Sequence, residues 1–212
     1  MKIRLGALVA GLLVMCAAGT AFAQDGKIKL GLRLGYALPA GKIGDVSVAG
    51  QTADGGKLSD HVSGQIPIWI DAGYMVIPNL LVGLYGQYGF ISTKDCDGCS
   101  AHDLRIGIQG QYHFTPEQSI DPWLGIGFGY ESLGTSQTVA GQSFDASAHG
   151  WELLNLQGGV DFEVIPKFTV GPFLSFSLDQ FSSESSGGTS IDYTSKQLHE
   201  WILIGAKGTF GI

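Results

Sequence analysis

The chain reads as an all-β protein, an eight-stranded antiparallel up-and-down transmembrane β-barrel, and three features of the sequence carry that reading. Eight segments alternate with period two, apolar at one parity and polar or glycine at the other. Small residues crowd the polar parity, which marks it as the concave side of a closed sheet. The connections between segments alternate long and short. Of 212 residues, 44% are hydrophobic, only 15% are charged and 33 are glycine, and the net charge is −7. So apolar a chain is not a disordered one. An acidic chain with no Lys/Arg cluster beyond its first residues has no nucleic-acid partner, because its field repels phosphate. No stretch after the N-terminus approaches the ~20 apolar residues of a spanning helix, so any membrane crossing must use strands.

Residues 1–23 read as a cleaved secretory signal peptide. Lys2 and Arg4 form a basic start, Leu5 to Ala18 an apolar stretch, and Ala21-Phe22-Ala23 a cleavage site before Gln24. An uncleaved anchor is the first alternative, and the cleavage pattern opposes it. Lipidation at Cys16 is the second, and the bulky Met15 before it opposes that. Residues 24–212 are then the exported barrel.

The strands follow in order. Ile28, Leu30, Leu32, Leu34, Tyr36 and Leu38 open the series; Ile66, Ile68, Ile70, Ala72, Tyr74 and Val76 come second. Leu80 to Phe90, Leu104 to Phe114 and the shorter Leu124 to Tyr130 repeat the pattern at even positions. Leu154 to Val164, Phe168 to Leu178 and Ile202 to Ile212 complete it. None of these even positions carries a charge, an amide or an aliphatic hydroxyl. The odd positions between them hold Arg33, Asp71, Gln87, Arg105, Gln109, Gln111, Asn155 and Gln157, together with Gly125, Gly127 and Gly129. Alternation alone fits any half-buried antiparallel sheet. A soluble barrel needs its apolar face inside, whereas here the crowded glycines share the polar face. The apolar face is therefore convex and faces lipid.

The connections agree with that orientation. Stretches 39–64, 91–103, 133–150 and 182–198 are long, polar and rich in Gly and Ser; 77–79, 115–121 and 165–167 are short, and each holds a proline. Short periplasmic turns and long outer loops are the expected asymmetry. Threading the strands places Tyr74, Tyr112, Phe114, Phe162, Phe168 and Phe210 near the periplasmic rim and Tyr36, Tyr88, Phe90 and Tyr130 near the outer rim. Two such levels are interfacial aromatic girdles.

Pro122-Trp123-Leu124-Gly125-Ile126-Gly127-Phe128-Gly129-Tyr130, Leu156-Gln157-Gly158-Gly159-Val160-Asp161 and Val170-Gly171-Pro172-Phe173 resemble recurrent strands of the small eight-stranded bacterial outer-membrane β-barrel proteins. The resemblance covers 24–212. It implies a place in the cell outer membrane, with membrane lipid, lipopolysaccharide and the barrel-assembly machinery as partners. Many such proteins end in an aromatic residue that the assembly machinery reads, whereas this chain ends Phe210-Gly211-Ile212.

Site chemistry is sparse. Cys96 and Cys99, in Asp95-Cys96-Asp97-Gly98-Cys99, are expected to form a small loop disulfide in an oxidising compartment; His102 nearby leaves a weaker metal option. Gly125-Ile126-Gly127-Phe128-Gly129 is not the dinucleotide spacing, and no helix follows it. The lumen is expected to hold an ion network of Lys29, Arg33, Asp71, Arg105, Glu131, Asp161, Glu163, Asp179 and Lys207. With Lys27 added, its basic and acidic groups balance, as suits a filled polar core; a selective pore more often carries one dominant sign. Asp161 and Glu163 could pair as acid and base, but neighbouring lysines make an ion-pair cluster the blander account.

Some proteins of the resembled kind modify lipopolysaccharide, which needs a nucleophile and a base beside the hydrocarbon, often Ser and His. The lipid-facing set holds neither. His61, His102, His149 and His199 fall in loops or at strand tops, and no spacing there points to a triad. The chain is read as no enzyme, with no cofactor and no metal. The loops hold Lys42, Lys57, Lys94 and Lys196 against Asp45, Asp54, Asp60, Asp95, Asp97, Asp103, Asp145, Glu184, Asp192 and Glu200, a surface suited to cations or basic partners. The expected function is a structural or surface-interaction role carried by four long extracellular loops above a plugged lumen. The alternative is a narrow channel for small solutes, hydrophobic ones included. The residues name no extracellular ligand.

Overall fold

The computed structural model describes residues 27–48, 51–94, 96, 98–139 and 142–212; the expected signal peptide, 1–23, lies outside them. The barrel strands are β1 (Ile28–Gly41), β4 (Val62–Ile77), β5 (Leu80–Thr93), β6 (Cys99–His113), β7 (Ile120–Val139), β8 (Gln142–Ile165), β9 (Phe168–Ser186) and β11 (Leu198–Gly211). Each pairs antiparallel with its neighbours, β8 on β9 and β9 on β11, and β11 returns to β1 to close the ring. Closure leaves no strand edge with unpaired N–H and C=O groups, the condition for a sheet in lipid. Among the described residues no helix is long and apolar enough to cross a membrane.

Short elements decorate the outer end. β2 (Val46–Val48) and β3 (Gln51–Ala53) pair with each other, a single turn of helix, α1 (Leu58–His61), follows them, and β10 (Thr189–Asp192) extends the sheet beyond β9.

The convex face is apolar. Leu84 is 64% exposed, Ile106 62% and Ile204 66%, values that in water would mark a failed core and in lipid mark the contact surface. The concave face holds what a soluble protein would expose: Arg33, Gln65, Gln87, Arg105, Gln109, Gln111, Asn155, Gln157 and Lys207 are all buried.

The strands run further than their apolar alternation. The stretch 133–150, expected as a long loop, is mostly the hairpin of β7 and β8, paired rung by rung from Leu133↔Ala148 to Val139↔Gln142. Alternation ends where lipid ends, but backbone pairing needs no apolar side chain, so the Ser/Thr-rich ladder continues into water. β9 likewise pairs with β8 up to Ala146↔Ser186. A register shift between Glu152 and Leu154 inserts an extra residue into β8. Above it the parity inverts: Trp151 and Leu153 face outward, and Glu152 turns into the lumen.

Cys96 and Cys99 are disulfide-bonded in the tip between β5 and β6, with Cα atoms 5.6 Å apart. Protein purified from the outer membrane without reductant should show no reactive thiol at either position. Two labelled cysteines would remove the bond from the native state. So short a loop contributes at or below the low end of the ~2–4 kcal/mol typical of disulfides, so reduction should leave the barrel folded.

Candidate functional site

Inward side chains of all eight barrel strands fill the bore in three layers. The layer nearest the periplasm centres on Lys207 of β11. Its Nζ donates to Asp161 at 3.2 Å and to Gln111 at 3.1 Å, and lies 4.2 Å from the centroid of the Trp123 ring. The indole N–H of Trp123 donates to the other oxygen of Asp161 at 3.1 Å. Beside it His113 and Asp121 share a hydrogen bond of 2.7 Å.

The middle layer is built on Arg33 of β1. Its Nε donates to Asp71 at 2.9 Å, and its two terminal nitrogens donate to Gln157 at 2.8 Å and Gln109 at 3.2 Å. The guanidinium lies 4.4 Å from the centroid of Trp69 and 5.5 Å from that of Phe173. Trp69 in turn packs on Tyr85, with centroids 5.0 Å apart. A planar cation with five donors and two faces suits this position, since a lysine would offer neither the fork nor the stack. Gly31 makes room: a β-carbon there would overlap the Asp71 carboxylate, which sits directly opposite it in the sheet.

The outer layer gathers around Arg105 of β6. Nε donates to Asp103 at 2.8 Å, one terminal nitrogen to Glu131 at 2.6 Å, and the other to Glu152 at 3.1 Å, Ser177 at 2.8 Å and Asp179 at 3.4 Å. His199 Nε2 shares a 2.8 Å hydrogen bond with the second oxygen of Glu131, and its ring stacks on Phe181 at 4.1 Å. Tyr85 and Asn155 both donate to Glu152. Above this layer Leu58 of α1 joins Ala37, Val62, Trp201 and Leu203 in a hydrophobic cluster.

Of the nine residues expected in the luminal network, seven are brought into these layers: Arg33, Asp71, Arg105, Glu131, Asp161, Asp179 and Lys207. Lys29 and Glu163 are not. Lys29 is half-buried and Glu163 exposed; both line the periplasmic mouth, where water solvates their charges, and neither joins an ion pair among the described residues. The expected balance of luminal charge also needs correction. Lys27 is exposed, while Asp103, Asp121 and Glu152 join the buried acids, so carboxylates outnumber cations inside the barrel.

Asp103, expected in a loop, and His199, expected in a loop or at a strand top, are fully buried on the inner face because β6 and β11 begin earlier than their apolar alternation. Extending the parity by one rung finds Asp103. Glu152 is signalled by the adjacent Leu153-Leu154, which breaks the alternation where the extra residue sits.

The remaining expectations concern the outside. His102 stacks on Tyr88 on the outer face, and Cys96 and Cys99 are bonded to each other, which leaves no thiolate for a metal there. At the outer rim Ser147 Oγ and His149 Nε2 lie 3.0 Å apart, but among the described residues His149 Nδ1 has no hydrogen-bond partner and no carboxylate orients that imidazole as a base.

The family sequence model described as outer membrane protein beta-barrel domain matches residues 7–198. Similar solved structures include the outer membrane protein OprG from Pseudomonas aeruginosa (14% identity, 87% of this chain and 96% of that one, TM-score 0.55). The outer membrane protein AlkL in lipid bilayers is another (14% identity, 91% and 93%, TM-score 0.53). Neisserial surface protein A is similar at 14% identity, 87% and 97%, with TM-score 0.48. No curated protein matches the sequence. At such identities the two structures with TM-scores above 0.5 establish the fold alone.

Proposed function

The chain belongs to the outer membrane protein beta-barrel domain family, and from that premise we propose that its barrel is a closed scaffold whose outer loops and hairpins make the functional contacts. It resides in the outer membrane with its apolar convex face in lipid. The observation that carries the proposal is Arg33. It is 1% exposed at mid-bore, hydrogen-bonded to three acceptors from three other strands and pressed against Trp69 and Phe173. A cavity of about 290 Å³ opens at the periplasmic mouth and one of about 380 Å³ lies under the outer loops. The Arg33 and Arg105 layers stand between them. An eight-stranded barrel is just wide enough for side chains to fill.

Above the membrane Asp45, Asp54, Asp60, Asp145, Glu184 and Asp192 outnumber Lys42, Lys57, Lys94 and Lys196, which favours cationic partners. Lipopolysaccharide around the convex face and the barrel-assembly machinery are the envelope partners this reading implies. Catalysis is no part of it.

Conductance across a planar bilayer tests the closed lumen. The wild type should show no sustained ion current. Arg33→Ala should leak, because it strands the buried Asp71 carboxylate and opens space between Gln109 and Gln157. A steady wild-type conductance, unaltered by that substitution, would support a channel for small solutes instead.

A further inference from the structure

We propose that the periplasmic mouth of the barrel binds a small zwitterion, a free α-amino acid with an apolar side chain, in a blind pocket below the Lys207 layer. The pocket is the cavity of about 290 Å³ at that end. Its inner wall is the cluster of Lys207, Asp161 and Gln111, beyond which the Arg33 layer closes the bore. Three side chains that line it are buried and carry a polar atom with no hydrogen-bond partner among the described residues. They are Gln111 through Nε2, His113 through Nε2 and Thr209 through Oγ1, at 1%, 8% and 8% exposure. Buried polar atoms are seldom left unpaired. Three on one cavity mark a place where another molecule meets them.

The chemistry of these atoms says what that molecule offers. Gln111 Oε1 accepts from the Lys207 ammonium, so its Nε2 is a donor that calls for an acceptor. His113 Nδ1 lies 2.7 Å from one oxygen of Asp121, whose other oxygen takes the Thr115 backbone N–H at 3.0 Å. The neutral imidazole therefore donates from Nδ1 and turns the Nε2 lone pair to the cavity, where it calls for a donor. The Thr209 hydroxyl serves either way. Charge repeats the pattern. Lys29 and Glu163 line the same cavity, and neither joins an ion pair among the described residues. In the sheet Glu163 pairs with Thr169, Thr169 with Thr209, and Thr209 with Gly31, two residues from Lys29. Two threonines thus stand between a lone acid and a lone base.

A ligand carboxylate on Gln111 Nε2 and Lys29, with its ammonium towards Glu163 and His113 Nε2, answers both halves. A simple anion would face Asp121, Glu163 and Glu117, and a simple cation would face Lys29 and the Gln111 amide N–H. A neutral polyol would leave Lys29 and Glu163 without counter-charges. Water satisfies the polar atoms too, but Met75 and Leu81 line the same cavity, and an apolar wall is covered better by a ligand's side chain than by water. Sites for drug-sized ligands run to about 300–1,000 Å³, so this one, at about 290 Å³, takes a smaller occupant.

The test is equilibrium dialysis of the refolded full chain, in a maltoside detergent, against radiolabelled L-leucine. One saturable site of sub-millimolar affinity is expected. Two analogues each keep one end of the probe: 4-methylpentanoate lacks the amine and 3-methylbutylamine lacks the carboxylate. Each should compete at least about tenfold more weakly than leucine, the loss that follows when one charge-assisted hydrogen bond is removed. Lys29→Met and Glu163→Gln should weaken leucine binding by a similar factor, and Thr209→Val by a smaller one, while each keeps the gel mobility of a folded barrel. His149→Gln, at the opposite rim, should bind as the wild type does. Should Thr209→Val fail to fold, the two charge variants, whose side chains lie at the open mouth, still decide. A folded wild type that binds no leucine has a mouth that is merely hydrated, and that result overturns the proposal. So does equal competition by 4-methylpentanoate, or an affinity unchanged in Lys29→Met or Glu163→Gln.

Discussion

Arg105→Ala is expected to destabilise the barrel by about 3–5 kcal/mol or more, the range for breaking a buried ion pair by removing one partner. Four carboxylates would lose the cation they share: Asp103, Glu131, Glu152 and Asp179 all take hydrogen bonds from this guanidinium. Against the 5–15 kcal/mol that holds a typical domain together, such a loss is a large fraction of the whole. Arg105→Lys should fall between the variant and the wild type. It restores the charge, but a point ammonium cannot reach three sides of the layer at once as a fork does. Arg105→Ala combined with Glu152→Gln should recover part of the loss, because one stranded charge is then neutral. Urea unfolding in detergent, followed by tryptophan fluorescence, measures all three variants. An Arg105→Ala barrel within about 1 kcal/mol of the wild type, the worth of an exposed pair, would show that this layer is solvated rather than sealed.

How much of this layer could be read beforehand depends on what each signal reports. Apolar alternation records contact with lipid, so it located the membrane-embedded rungs of all eight strands and the inward direction of Arg33, Asp71, Arg105, Glu131 and Lys207. It is silent wherever the outward residue meets water. Asp103 sits on a paired rung beyond Leu104, opposite Leu133, and His199 beyond Ile202, opposite Asp179, so the alternation reads Asp103 as loop and His199 as no more than a loop or strand-top residue. The hairpin from Leu133 to Ala148 was missed for the same reason: backbone pairing, which builds it, leaves little trace in Ser/Thr-rich composition. Glu152 was hidden differently, by an inserted residue that reverses parity within one strand. Lys29 and Glu163 show the opposite error. Their parity is inward, but they stand at the mouth, where direction along the bore no longer implies burial. Parity gives a side chain's face; depth and bulges decide what it meets.

Ile108→Arg should cost about 2–4 kcal/mol, the cost of a basic residue at the bilayer midplane on the lipid face of a barrel. Ile108 is 59% exposed and is flanked in the sheet by Leu84 on β5 and Phe128 on β7. Along β6 it lies between Leu104, opposite the outer-girdle Tyr88, and Tyr112 of the periplasmic girdle, so it falls near mid-depth. Placed there, a guanidinium must shed its water or thin the bilayer around itself. At the outer girdle, Phe90→Arg should cost only about 0–1 kcal/mol, because the long side chain reaches the headgroups. Gln109→Glu, one residue away but pointing inward, sets a carboxylate against the Arg33 guanidinium, which already donates to that side chain at 3.2 Å, and should be tolerated better than Ile108→Arg. Unfolding of the three variants in phospholipid vesicles separates depth from mere exposure. In a water-soluble barrel, arginine at an exposed isoleucine would be neutral within about 0.5 kcal/mol. Equal, small costs at Ile108 and Phe90 would mean that the apolar convex face does not meet hydrocarbon. A steep difference between them would set the bilayer midplane at the Leu84–Ile108–Phe128 rung.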